Sequence, residues 1–198
     1  EITVPAFDEY NIASVGVKAP MFSFARLEGT DPVLGVEMSS TGEVGCLGNS
    51  FDEALLLSLE STGVQIPKKG VLISSGRLHE KIKILETVSI LENMDIPIYA
   101  TEGTAKFLQE HGHKVEALGW PEETDRTNVI DVIKSAKVDF VINVPKNLEK
   151  QEMEHGAAIR KNAIRHRVSL ITTAEMAGAF LKALKDHDSF LKNHKPIM

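Results

Sequence analysis

Between Gly70 and Thr172 five short apolar runs alternate with helical patterns, and this alternation constrains the fold more than any other feature. The runs are Gly70-Val-Leu-Ile-Ser-Ser75, Ile96-Pro-Ile-Tyr-Ala100, Lys114-Val-Glu-Ala-Leu118, Asp139-Phe-Val-Ile-Asn143 and Ser169-Leu-Ile-Thr172. Helical spacing separates them: Ile84, Leu85, Val88 and Leu91 after the first, then about Gly103 to Glu110, Asn128 to Lys134, and about Gly156 to His166. A last helix carries Ala177, Phe180, Leu181 and Leu184 at i, i+3, i+4, i+7. Continuous apolar strands alternating with helices predict an α/β fold, a five-stranded parallel sheet, doubly wound. Right-handed crossovers then put ligands at the carboxyl ends of the strands.

Residues 1–67 read differently from residues 68–198. Val15-Gly-Val-Lys-Ala-Pro20 and Met21-Phe-Ser-Phe24 look extended, and glycine-rich stretches follow at Glu28–Gly35 and Ser39–Gly45. Phe51–Glu60 has a helical pattern, with Ser50 as its cap and Glu53 three residues on, the spacing of a capping box. Strands this short with one helix bury little area, so residues 1–67 are expected to be an incomplete domain. The chain opens at Glu1 with no Met and no signal-peptide pattern, which implies a piece of a longer protein.

Composition narrows the function classes. At 42% apolar and 25% charged the chain is an ordinary globular one, and its net charge of -6 argues against non-specific nucleic-acid binding. No apolar run approaches the roughly 18 residues of a membrane span. A single cysteine, Cys46, excludes an internal disulfide and a cysteine-based zinc site, and fits a reducing cytoplasm. With no activating His or Asp beside it, Cys46 is expected to be a small buried hydrophobe.

The strand ends carry suitable chemistry. Ser74 and Ser75 follow the first strand and Lys81 opens the next helix; Thr101-Glu-Gly-Thr104 follows the second. Gly119-Trp120-Pro121 follows the third, and Asn143-Val-Pro-Lys146-Asn147 the fourth. Thr101–Thr104 is the strongest of these, because free N–H groups at a helix start, two hydroxyls and a close-approach glycine make an anion pocket. Taken alone, Thr101 is equally a helix cap and Gly103 a turn glycine. Convergence favours the pocket, with Ser75, Lys81, Trp120 and Asn143 at neighbouring strand ends. His155, Arg160, Lys161, Arg165, His166 and Arg167 read as a solvated basic face that can also offset ligand charge. His111 and His113 read as solvated helix-end cations.

Catalytic machinery is not evident. There is no P-loop, no G-x-G-x-x-G, no H-E-x-x-H and no nucleophile elbow. Glu102 is the one carboxylate in the strand-end loops, and no Asp–His pair accompanies it. The expectation is a site that binds, with no catalytic and no metal-ligating residues.

Phe22-Ser-Phe-Ala-Arg-Leu-Glu-Gly-Thr-Asp-Pro-Val-Leu-Gly-Val-Glu-Met-Ser-Ser-Thr-Gly-Glu-Val44 closely resembles the end of the second ATP-grasp half of carbamoyl phosphate synthetase large subunits. Residues 69–198 resemble the methylglyoxal-synthase-like domain that ends the same subunit. The resemblance implies an incomplete ATP-grasp tail at 1–67 and an allosteric domain at 68–198. It implies a parent ligase making carbamoyl phosphate from bicarbonate, glutamine or ammonia and two ATP, for pyrimidine and arginine synthesis. Mg-ATP would belong to the parent and no cofactor to this chain; partners would be the remaining ATP-grasp domains and a glutaminase subunit.

The family's effector site falls on Ser75, Lys81, Thr101, Gly103, Thr104 and Asn143. Trp120 stands where uridylate-inhibited members carry a lysine, and Val144-Pro145 where they carry threonines. Both features are similar to members activated by N-acetylglutamate, so the expected ligand is a small anion, N-acetylglutamate-like or UMP/IMP-like. Two other readings stand beside this one: a methylglyoxal synthase-type lyase, and a docking module with a vestigial pocket. The lyase needs a catalytic Asp in a glycine-rich loop and a His, and Val144–Asn147 supplies neither.

Overall fold

A computed structural model describes residues 14–22, 31–33, 40–145 and 150–186. Most of the Phe22–Val44 motif, and Lys146 and Asn147, lie outside the described residues. Five parallel strands form the main sheet: β3 (Val71–Ser75), β4 (Ile98–Thr101), β5 (Glu116–Leu118), β6 (Phe140–Val144) and β7 (Ser169–Ile171). Their spatial order is β5-β4-β3-β6-β7, so the chain reverses its direction of travel between β3 and β6. That reversal is the switch point at which open α/β sheets leave a crevice.

Alternation along the strands divides the core in two. Val71 and Ile73 of β3 and Phe140 and Ile142 of β6 face α2 (Leu78–Asn93), α3 (Glu102–Glu110) and α6 (Ala174–Asp186). Leu72 and Val141 face α4 (Val129–Lys134) and α5 (Lys150–Arg165). The sheet is therefore doubly wound, as the alternation predicts. Phe140 stacks on Phe180 with centroids 5.4 Å apart. One refinement concerns β5: Glu116 and Ala117 are exposed, because this strand is the sheet's edge.

The helices leave for the next strand by a common device. After α2, the Ile96 N–H donates to the Leu91 carbonyl and the Asp95 N–H to that of Glu92, with Asp95 at φ 56°. The same 6→1 and 5→2 pair recurs after α3 and α5, with Gly112 and Arg167 in the left-handed position. Ala136, at φ 54°, takes that position after α4. Glycine signals this turn in sequence, but Asp95, Ala136 and Arg167 do not.

Three expectations need correction. The helix expected from Gly156 starts at Lys150, because the preceding residues are good helix formers and Gly156 sits inside the helix. His113 is half-buried rather than solvated, its Nδ1 2.9 Å from Glu92 Oε2, whereas His111 is exposed as expected, with Nδ1 2.8 Å from the Phe107 carbonyl. Cys46 is half-buried rather than buried, its Sγ 3.8 Å from Ser61 Oγ.

The amino-terminal elements attach chiefly through one helix, with Val17 also packed against the core. β1 (Val15–Met21) and β2 (Gly42–Gly48) form an antiparallel pair, followed by α1 (Phe51–Ser61). Glu53 N–H donates to Ser50 Oγ at 3.2 Å, and the Glu53 carboxylate accepts from the Asn49 N–H at 2.7 Å. Leu55, Leu56 and Leu59 of α1 join the core that contains Phe180 and Leu184 of α6. Burying side chains of this kind is worth about 1.5–3 kcal/mol each.

Candidate functional site

The carboxyl ends of β3, β4 and β6 surround a pocket of about 390 Å³. Its lining includes all seven residues singled out in the sequence: Ser75, Lys81, Thr101, Gly103, Thr104, Trp120 and Asn143.

One end is built of hydroxyls. β3 and β4 run side by side, so Ser74 and Ser75 arrive next to Thr101 and the first turn of α3. Thr104 Oγ1 accepts the Ser75 N–H at 3.1 Å and donates to the Ser75 carbonyl at 3.0 Å. Thr101 occupies the N-cap position of α3 yet makes no side-chain cap bond; its Oγ1 lies 3.4 Å from Ser74 Oγ and 3.3 Å from Thr104 Oγ1. The simple helix-cap reading of Thr101 therefore fails, and the N–H groups of the first turn of α3 have no partner from its side chain. Ser75 is 6% exposed, and its buried Oγ lacks a hydrogen-bond partner among the described residues. Such an atom costs stability unless a ligand or water satisfies it.

Lys81 adds charge beside this end. Its Nζ donates to the Gly103 carbonyl at 2.7 Å. Gly103 is not held by backbone strain; a Cβ there would lie 3.8 Å from Lys81 Nζ, in ordinary contact with it.

The other end is ionic, and sequence reading missed it. Arg160 of α5 is 3% exposed, not part of a solvated face. Its Nη1 donates to Asn143 Oδ1 at 2.5 Å, its Nε donates to Asp31 Oδ1 at 2.6 Å, and its Nη2 pairs with Asp31 Oδ2. A guanidinium only donates, so Asn143 turns its oxygen to Arg160 and presents its amide N–H₂ elsewhere. Gly156 makes room for this arrangement, since a Cβ there would come 2.9 Å from Arg160 Nη1. A signal was present: Ile159 and Ala163 mark the buried face of α5, and His155 and Arg160 share it. Asp31 carried no local signal.

Trp120 forms a half-buried wall. Its ring lies 5.0 Å from that of His155, whose Nε2 is 2.9 Å from Glu122 Oε2. The Trp120 N–H donates to Glu123 Oε1 at 3.0 Å, and Glu123 Oε2 accepts from Arg126 Nε at 2.5 Å. The Arg126 hydrogen bond, with that of the Trp120 N–H, holds the Glu123 carboxyl below its usual range. This clamp fixes the indole's place in the loop.

The lining is rich in donors and positive charge. Lys81 and Arg160 outweigh Asp31, leaving a net positive charge. Asp31 is the one carboxylate among the described lining residues. Burial raises its pKa, but the Arg160 hydrogen bond and charge, together with the Val33 N–H and the Lys161 charge, outweigh that and hold the carboxyl below its ordinary value. A carboxylate so stabilised is a poor proton acceptor at neutral pH. Among the described residues, no group of three His, Cys, Asp or Glu is placed to hold a metal ion, and no helix is long and apolar enough to cross a membrane.

Comparison with known proteins adds the family. Residues 83–172 match the model of the MGS-like domain. The multifunctional protein CAD of Squalus acanthias is 39% identical over 206 residues, covering 92% of this chain and 9% of that protein. The mitochondrial carbamoyl-phosphate synthase (ammonia) of Aquarana catesbeiana is 38% identical over 177 residues, covering 86% of this chain and 12% of that protein. The chain thus spans only a small share of the curated relatives it matches. Methylglyoxal synthase from Elizabethkingia anophelis NUHP1 superposes with a TM-score of 0.44 at 14% identity, over 68% of this chain and 100% of that one. With one domain matched by the methylglyoxal-synthase-like model and most of its length aligned with these proteins, the chain belongs to the carboxyl-terminal, methylglyoxal-synthase-like region of the carbamoyl phosphate synthetase family.

Proposed function

We propose that this chain is an allosteric, non-catalytic effector-binding region of a carbamoyl phosphate synthetase. The observation that carries the reading is the hydroxyl end of the pocket: an unpartnered Ser75 Oγ beside the start of α3, with Lys81 alongside. A phosphate or carboxylate placed there receives a hydroxyl, backbone N–H groups and a nearby ammonium. The ligand is a small anion, either N-acetylglutamate-like or UMP/IMP-like. Trp120 supplies a ring where a cation would meet a phosphate, and Arg160 lies at the opposite end, which favours the dicarboxylate.

The parent makes carbamoyl phosphate from bicarbonate, glutamine or ammonia and two ATP, for pyrimidine and arginine synthesis in the cytoplasm. Mg-ATP binds in its other ATP-grasp domains, which together with a glutaminase subunit are the partners of this region. Residues 1–67 are the end of an ATP-grasp domain, and α1 keys them to α6. Effector occupancy changes the parent only if two states bind the effector differently.

Calorimetric titration of the chain with UMP and with N-acetyl-L-glutamate, repeated on Trp120→Lys, tests the proposal. The expected result is 1:1 binding of N-acetyl-L-glutamate that weakens in Trp120→Lys. No heat with either ligand would overturn it, and product formed from dihydroxyacetone phosphate would establish a lyase instead.

A further inference from the structure

We infer that Asp31 is a built-in counter-anion of the pocket, which a ligand with two separated acidic groups displaces from Arg160. The inference rests on the anion-site reading above and adds which ligands move the Asp31 side chain.

The two partners of the pair are unequal. Arg160 is fixed on the buried face of α5, 3% exposed, and cannot be left without a counter-charge at reasonable cost. Asp31 lies 129 residues away in sequence, and its side chain is 37% exposed. Its other hydrogen bond among the described residues is local, from the Val33 N–H at 3.3 Å. Moving Asp31 into water therefore costs little, whereas stripping Arg160 costs a great deal. The cheap exchange is carboxylate for carboxylate: the guanidinium keeps two charge-assisted hydrogen bonds and Asp31 regains hydration.

The pocket's shape allows this. The hydroxyl end and Arg160 line one cavity of about 390 Å³, with Asn143 touching Arg160 between β3 and α5. A ligand with a single acidic group satisfies the hydroxyl end and leaves Asp31 in place. One with two acidic groups spans the pocket and competes for Arg160. Asp31 and Val33 both line this cavity, and Val33 also lines an adjoining cleft of about 270 Å³ with Arg77 and Thr172. Displacing Asp31 thus breaks the ionic tie between the 31–33 segment and α5, while the buried Pro32 keeps its own place in a cleft with Val64 and Ile164. By linkage, whatever holds the Asp31 carboxylate away from Arg160 strengthens binding of the two-acid ligand by the same factor.

The test is titration of the full chain and of Asp31→Asn with three probes: inorganic phosphate, UMP and N-acetyl-L-glutamate. Asp31→Asn leaves Arg160 uncontested, so N-acetyl-L-glutamate is expected to bind about tenfold more tightly, the worth of one charge-assisted hydrogen bond. Phosphate and UMP change less than about twofold on the same scale. Equal tightening of all three probes would reduce the effect to a general loss of negative charge and overturn the inference. Weaker binding of N-acetyl-L-glutamate would make the ion pair a fixed wall and overturn it too. If no probe binds either protein, the anion-site reading itself fails.

A second measurement needs no substitution and covers the case of a poorly folding variant. Hydrogen exchange at the Val33 amide of the unmodified chain is expected to speed up with N-acetyl-L-glutamate and stay unchanged with phosphate. Slower or unaltered exchange when N-acetyl-L-glutamate is bound would contradict displacement.

Discussion

The two ends of the pocket are built by different means. The hydroxyl end comes from two adjacent parallel strands and the turn that follows one of them, so 30 or so consecutive residues from Ser74 to Thr104 create it. The ionic end joins α5 to a segment 129 residues earlier, across a sheet that has to form first. Local construction yields a rigid cradle, because Thr104 is tied to both backbone groups of Ser75. Long-range construction yields an exchangeable contact: among the described residues the Asp31 carboxylate is bonded by Arg160 and the Val33 N–H, with the Lys161 charge acting on it as well.

The largest expected effect breaks both ends together. Phe140 lies under the switch point and is 1% exposed, so Phe140→Ala is predicted to cost about 3–5 kcal/mol. Urea denaturation measures it, and a cost confined to surface values would mean that the sheet is not the common scaffold.

Thr104→Val separates the ends. It keeps the shape but strands the Ser75 N–H and carbonyl, for an expected loss of about 2 kcal/mol by the same denaturation. Phosphate binding is expected to disappear, while the Arg160–Asn143 contact persists.

This asymmetry also decides what was legible in the sequence. Strand ends and helix starts are local, so Ser75, Lys81, Thr101, Gly103, Thr104, Trp120 and Asn143 were read from order alone and converge on one pocket. The five-strand alternation was equally plain. Arg160 was misread because it stands in a run of basic residues, and only the Ile159–Ala163 stripe reveals its buried face. Gly156 looked like a helix start because an interior glycine is costly, and its reason, the Arg160 guanidinium, is tertiary. Asp31 had no periodicity to betray it. The left-handed Asp95, Ala136 and Arg167 hid their turns for the same reason: no glycine marks them.

The ionic end carries its own pH signature. The Asp31 carboxyl is held below its ordinary value in the folded chain, where burial raises it less than Arg160, the Val33 N–H and Lys161 together lower it. Its contribution is therefore full above the unfolded-chain value and is lost as pH falls through the lower folded value. Urea midpoints measured from pH 5 downward are expected to fall less steeply in Asp31→Asn. An identical slope would mean that the pair contributes nothing to stability.

Gly156→Ala sets two small effects against each other. Alanine inside a helix gains up to about 1 kcal/mol over glycine, but its Cβ would crowd Arg160 Nη1 and weaken the bond to Asn143. Net stability is predicted to change by less than about 1 kcal/mol in denaturation, since the two effects are similar in size. The Arg160 side-chain signals are expected to move in NMR spectra. Lys81→Met has the smallest effect on folding, below about 0.5 kcal/mol for a partly exposed side chain. Its expected mark is on phosphate affinity alone, a loss of about tenfold by titration.

The anion-binding claim is tested most directly by backbone NMR of the full chain titrated with inorganic phosphate. The largest amide shifts are predicted at Ser75, Glu102, Gly103 and Thr104, saturating together, and absent in Thr104→Val. Shifts centred anywhere else, or none at these four residues, would contradict the assignment of the strand-end pocket as the anion site.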